Sequence, residues 1–237
     1  MTNSLPPIVI PAYEPGQQMI PLIDDLSDQG FSKIIVVDDG SSKESQDVFD
    51  KLDHDNVTLI RHSDNMGKGM ALKTAFSYIL ENDQEANGCL TVDADGQHLS
   101  TDALRVAETF TRNPNHLVLG KREFDGDVPA RSKIGNLLTK YVFHLSYGQK
   151  ISDTQTGLRA IPVELMSQLL KSPAKKYEFE LEMLILAIKE KFPIDEVTIN
   201  TVYQDNNESS HFRPIRDSLK IYFVMLRFAL LSVLIYG

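Results

Sequence analysis

Two apolar patterns alternate along this chain. Short runs, Pro7 to Ala12, Lys33 to Val37, Asn56 to Arg61, Cys89 to Val92 and His116 to Leu119, predict strands, the one at Cys89 to Val92 a buried strand bounded by turn residues. The β-branched run at Lys33 to Val37 has the look of a strand covered on both faces. Between the runs the period changes. Met19, Ile23 and Leu26 recur at helical spacing, with Ile20 and Leu22 widening the face, and a second helix is expected to reach about Leu52. Asn65-Met66-Gly67-Lys68-Gly69 opens a third, whose stripe is Leu72, Ala75, Phe76, Ile79 and Leu80, and Ser100-Thr101-Asp102 starts a fourth. This strand–helix alternation predicts an α/β fold with a mostly parallel sheet and helices on both faces.

The C-terminal third changes character. Tyr177-Glu178-Phe179-Glu180 opens a helix with Leu181, Leu184, Ile185 and Ile188 on its face, and Ile194 to Ile199 predicts a further strand. Residues 1–204 are expected to form one α/β domain. Residues 205–217 read as a polar, basic linker or lid, carrying Arg213 and Arg216, with Lys220 shortly after. Residues 218–237 predict an apolar juxtamembrane or partial transmembrane helix, broken only by Arg227 from Ile221 to Tyr236. That run is shorter than the roughly 20 residues of a full span. Basic residues just before it suit the cytoplasmic membrane surface, and an ordinary core helix is the other reading.

Composition narrows the partners. The net charge of −9 over 237 residues argues against a nucleic-acid binder, because phosphate contacts need a basic surface. Cys89 is the only cysteine, which leaves no disulfide framework and no cysteine-based zinc site. Met1 to Pro7 has neither a basic region nor an apolar core, so no secretory signal is expected there.

The chemistry concentrates at strand ends. Tyr13, Glu14, Asp38, Asp39, Asp93 and Asp95 each fall where a predicted strand stops, and open α/β sheets bind ligands at that edge. In Asp93-Ala94-Asp95, strand alternation would point both carboxylates to one side. So close, they repel unless a cation intervenes, and Mg²⁺ or Mn²⁺ is a natural partner because it takes one or two carboxylates and completes its shell with phosphate oxygens. Gln97 adds a neutral oxygen, and His98 reads as a packing or supporting residue. The bland reading is a solvated polar strand end.

Pro11-Ala12-Tyr13-Glu14, Val37-Asp38-Asp39-Gly40-Ser41, Asn65-Met66-Gly67-Lys68-Gly69 and Asp93-Ala94-Asp95-Gly96-Gln97-His98 resemble the successive signatures of family 2 glycosyltransferases. Gly120-Lys121-Arg122, Arg131-Ser132-Lys133-Ile134-Gly135-Asn136 and Ser152-Asp153-Thr154-Gln155-Thr156-Gly157-Leu158-Arg159 are similar to the dolichol-phosphate mannosyltransferase branch and its bacterial polyprenyl-phosphate relatives. The resemblance implies a GT-A nucleotide-sugar-binding fold. In it Pro11, Ala12, Tyr13, Glu14, Asp38 and Asp39 would hold base and ribose, and Gly67 and Lys68 would lie near the nucleotide's charge. Asp93, Asp95 and Gln97 would bind Mg²⁺ or Mn²⁺ on the donor diphosphate. Asp95, Arg122, Arg131 and Asp153 would carry the chemistry, the arginines by gripping a lipid phosphate. Asp153 would touch the sugar or bridge to an arginine, and Arg159 would help shape the site. Gly135 departs from a serine that assists in some members, a part left to Ser132 or a backbone amide.

The expected activity is inverting, metal-dependent transfer of a hexose from UDP-hexose or GDP-mannose to a polyprenyl (undecaprenyl or dolichyl) phosphate at the cytoplasmic face of the cell membrane. Three alternatives differ from it. One is a soluble or cell-wall polymer acceptor. Another is an inactive sugar-nucleotide binding module, which the complete metal trio disfavours. The third is a phosphatase of the haloacid-dehalogenase type, whose similar DxDG motif sits on the first strand rather than the fourth.

Overall fold

The computed structural model describes residues 4–52, 54–122 and 151–200. Among these residues, seven strands, β1 (Ile8–Ala12), β2 (Ile34–Asp38), β3 (Val57–Arg61), β4 (Gly88–Thr91), β5 (Leu117–Arg122), β6 (Arg159–Pro162) and β7 (Ile194–Ile199), make one sheet in the order β3-β2-β1-β4-β6-β5-β7. The pairs β1/β2, β2/β3, β1/β4 and β5/β7 are parallel, whereas β6 is antiparallel to both β4 and β5. One reversed strand in a mostly parallel sheet fits the expected α/β class.

Among the described residues, six α-helices accompany it: α1 (Met19–Asp28), α2 (Gln46–Phe49), α3 (Lys68–Asn82), α4 (Ser100–Arg112), α5 (Val163–Leu169) and α6 (Glu178–Lys189). Strand alternation divides the core into two layers. Ile8 and Ile10 of β1 turn toward the cluster holding Met19, Ile23 and Leu26 of α1 and Val106 and Phe110 of α4. Val9 turns the other way, into the cluster holding Leu72, Phe76 and Ile79 of α3, Leu165 and Leu169 of α5, and Leu184 of α6. A strand buried on both faces needs no polar alternation, which is why β1 and β2 read as continuous apolar runs. Burying each such large side chain contributes about 1.5–3 kcal/mol.

The structure departs from the sequence reading in three places. The second helix is a 3₁₀ turn (Lys43–Ser45) followed by the single turn of α2, ending before Leu52. Glu14 draws the Ser42 amide and the Ser42 and Ser45 hydroxyls to its carboxylate, tying this segment to the end of β1. Strand β4 stops at Thr91, so Asp93 and Asp95 occupy the turn beyond it and alternation does not set their directions. Finally, β6 and α5 were not foreseen. Arg131, the 205–217 linker and the 218–237 helix lie outside the described residues. Among the described residues, no helix is long and apolar enough to cross a membrane.

Candidate active site

The C-terminal ends of β1, β2 and β4 lie side by side, and their loops are braced by acids. Asp38 pairs in register with Ala12, and its carboxylate accepts the Ser41 amide at 2.8 Å and the Gln46 side-chain amide at 3.3 Å. Asp39 is buried; it takes His62 Nδ1 at 2.8 Å and the amides of Met66 and Gly67 at 3.0 and 2.7 Å. His62 Nε2 in turn meets Thr74 Oγ1 at 2.9 Å. Asp39 thus fixes the loop that leads into α3. Glu14, at a left-handed φ of 49°, bonds the loop after β2 as described, while its neighbour Tyr13 is an exposed aromatic at the strand end. Pro11 and Ala12 contribute backbone within β1.

The Gly67-Lys68-Gly69 turn has a packing reason. Gly67 has φ +101°, and a Cβ there would come within 2.7 Å of the Lys175 carbonyl oxygen. A Cβ on Gly69 would lie 2.7 Å from Phe179 Cβ. The two glycines let the start of α3 press against residues 175–179.

Lys68, between them, was expected beside the nucleotide. In the structure its ammonium lies 2.6 Å from Asp93 Oδ1 and 2.9 Å from Glu180 Oε1. Burial alone would lower the lysine pKa, but Asp93 and Glu180 outweigh it and hold Lys68 firmly charged. For Asp93, burial opposes ionisation, and Lys68 and His98 overcome it, keeping the carboxyl well below the usual range. His98 Nε2 stands 3.7 Å from Asp93 Oδ2.

Asp95 differs. Burial and the nearby Asp93 charge push its pKa up, against one hydrogen bond from the Gln97 amide at 3.0 Å. A further cation would remove that penalty. No group of three or more His, Cys, Asp or Glu side chains able to hold a metal ion occurs among the described residues. The carboxylate oxygens of Asp93 and Asp95 are hard donors, the kind that a divalent ion takes one or two at a time while finishing its shell on phosphate.

On the other side, Arg122 closes β5 and grips Asp153 in a fork, Nε to Oδ2 at 2.6 Å and Nη2 to Oδ1 at 3.0 Å. Asp153 is fully buried and also caps the Gln155 amide at 3.0 Å. Burial would raise its pKa, but the Arg122 hydrogen bonds and charge win and lower it. Between sugar contact and an arginine bridge, both left open by the sequence, the geometry has the bridge.

The loop from Asp153 to β6 runs directly past Asp93. A Cβ on Gly157 would sit 2.1 Å from Asp93 Oδ2. Arg159, buried with it, donates to the carbonyls of Thr154, Thr156 and Glu180 at 3.1, 2.8 and 2.7 Å, clamping this loop to the first turn of α6. Glu180 was read only as part of a helix start. No spacing links it to Lys68 or Asp93, so the fold alone reveals it.

Strand ends carrying acids, and a two-carboxylate turn beside the reversed strand, define a GT-A-like α/β fold. The solved structures agree. Over 95% of this chain and 78% of the other, the fold matches glucosyl-3-phosphoglycerate synthase from Mycobacterium tuberculosis, crystallised with Mn²⁺, uridine diphosphate and phosphoglyceric acid (TM-score 0.72, 15% identity).

The chain belongs to glycosyl transferase family 2, whose family model matches residues 8–173, and it is a glycosyltransferase. Among its relatives is the UDP-N-acetylglucosamine–dolichyl-phosphate N-acetylglucosaminyltransferase of Methanococcus voltae, 31% identical over 86% of this chain and 88% of the relative. The dolichyl-phosphate beta-glucosyltransferase of Dictyostelium discoideum is 27% identical over 91% and 73%.

Proposed function

We propose that this chain transfers a hexose from a nucleotide diphosphate sugar to a polyprenyl phosphate, with inversion at the anomeric carbon and with Mg²⁺ or Mn²⁺ at Asp93 and Asp95. The observation that carries this reading is the nearly full-length likeness to the Methanococcus dolichyl-phosphate transferase. That relative also makes a UDP-sugar the first donor to try.

The residues divide the work between donor and acceptor. Tyr13 offers an exposed ring for the base, within loops that Glu14, Asp38 and Asp39 hold in place. Asp93, Asp95 and Gln97 would hold the metal, which as a Lewis acid supplies charge neutralisation for the departing diphosphate. Arg122, set by Asp153, and Arg131, which lies outside the described residues, would position the acceptor phosphate through bidentate hydrogen bonds.

A phosphate monoester has its second pKa near about 6, so at neutral pH its oxygen is already a nucleophile. That oxygen forms the new bond to the anomeric carbon as the bond to the donor diphosphate breaks on the opposite face. No general base is needed, and Asp153, ionised and locked to Arg122, is not poised as one. The apolar stretch over residues 218–237 would keep the enzyme on the cytoplasmic membrane face beside its lipid.

The test is transfer of label from a radiolabelled UDP-sugar into an organic-extractable product, using polyprenyl phosphate in detergent. Product that depends on added Mg²⁺ or Mn²⁺ and disappears with EDTA is expected. Label that stays in the aqueous phase with every UDP- and GDP-sugar tried would overturn the assignment.

A further inference from the structure

Lys68 already occupies the carboxylate that a metal would use. Its ammonium rests on Asp93 Oδ1 at 2.6 Å and on Glu180 Oε1 at 2.9 Å, all three side chains being largely enclosed. A divalent ion reaching Asp93 brings two positive charges to within a few ångströms of that ammonium, and like charges at such range repel strongly away from bulk water. The lysine therefore needs somewhere to stay.

Glu180 is fixed well enough to provide it. Its backbone carbonyl is held by buried Arg159 at 2.7 Å, and the preceding Phe179 packs on Phe76 with ring centroids 6.2 Å apart. Lys68 itself starts α3, whose glycine-lined approach to residues 175–179 sets its distance from Glu180.

We propose that Glu180 is a positioning residue for the metal site: it offers Lys68 a second berth, so that the ammonium neutralises Asp93 before the metal arrives and yields Asp93 to the metal without leaving the site. This rests on Asp93 being a metal ligand. Without the Glu180 charge, Lys68 belongs to Asp93 alone and competes harder with the incoming ion.

The experiment measures Mn²⁺ binding by electron paramagnetic resonance, with Mn²⁺ alone and at saturating UDP, for the full chain and its variants. Glu180→Gln should weaken Mn²⁺ binding by about fivefold, a coupling of ordinary size for neighbouring charges. Glu180→Asp keeps the charge but shortens the reach, and should weaken binding nearly as much as Glu180→Gln. Lys68→Met should tighten Mn²⁺ binding and make a further Glu180→Gln change nearly silent.

If Glu180→Asp behaves like the unmodified chain, or if Glu180→Gln costs as much with Lys68→Met as without it, Glu180 acts only as distant charge and the berth is refuted. The Glu180→Asp comparison stands even if Lys68→Met does not fold. No Mn²⁺ binding by the unmodified chain in either condition would instead overturn the metal reading, and the berth with it.

Discussion

Removing the Asp153 carboxylate tests how the acceptor side of the site is built. In Asp153→Ala, Arg122 loses both prongs of its fork and the Gln155 amide loses its cap, in a place where Asp153 is fully buried. Breaking a buried ion pair from one side costs about 3–5 kcal/mol, because the remaining group, here an Arg122 side chain only 19% exposed, keeps much of its desolvation penalty without that counter-charge. Each kcal/mol shifts the melting temperature by about 2–4 °C in a chain of this size, so the drop should fall between roughly 6 and 20 °C. The assay is thermal unfolding at pH 7 followed by circular dichroism, with a urea titration for the free energy. A loss below about 1 kcal/mol, the size of a surface pair, would refute the reasoning. If activity vanished at that unchanged stability, Asp153 would be touching substrate rather than holding Arg122.

Three further expectations follow from neighbouring geometry. Asp153 is the kind of carboxyl whose folded pKa lies below its unfolded value of about 3.9, so its stabilisation is present above that pH and lost as the pH falls below it. Asp153→Asn should flatten the acid limb of a stability–pH profile below about pH 4, and an unchanged limb would contradict this. Gly157→Ala should displace Asp93, with at least a tenfold loss of transfer in a folded chain; near-normal transfer would show that the loop simply moves aside. Asp95→Ala should abolish metal-dependent transfer while the melting temperature stays within a few degrees, since it removes a carboxyl whose charge is disfavoured by burial and by Asp93. Retained activity would remove Asp95 from the metal site.

What could be read in the sequence follows the range of the interactions involved. Strand β2 and helix α3 are set by local period, and both lie close to where their apolar residues put them. The parallel order follows from strand–helix alternation, but β6 breaks it. That strand is only four residues, Arg-Ala-Ile-Pro, opening on a buried charge and ending on a proline, and neither residue advertises a central strand. The acids of the site were visible because strand ends are marked by abrupt changes of polarity. Their partners were not: Lys68 with Glu180, and Gly157 with Asp93, meet only once the sheet brings distant loops together. Gly67 and Gly69 show how much a local motif leaves out: the family resemblance implies that Gly67 and Lys68 lie near the nucleotide's charge, and the structure adds that both glycines allow close packing against residues 175–179.

The central claim is that the nucleophile is a lipid phosphate that needs cations to place it and no base to deprotonate it. One labelled donor offered to polyprenyl phosphate and to the matching free polyprenol, in the same detergent, tests this most directly. Rapid transfer to the phosphate and essentially none to the alcohol is predicted. Comparable rates on the two acceptors, or faster transfer to a soluble sugar, would contradict it.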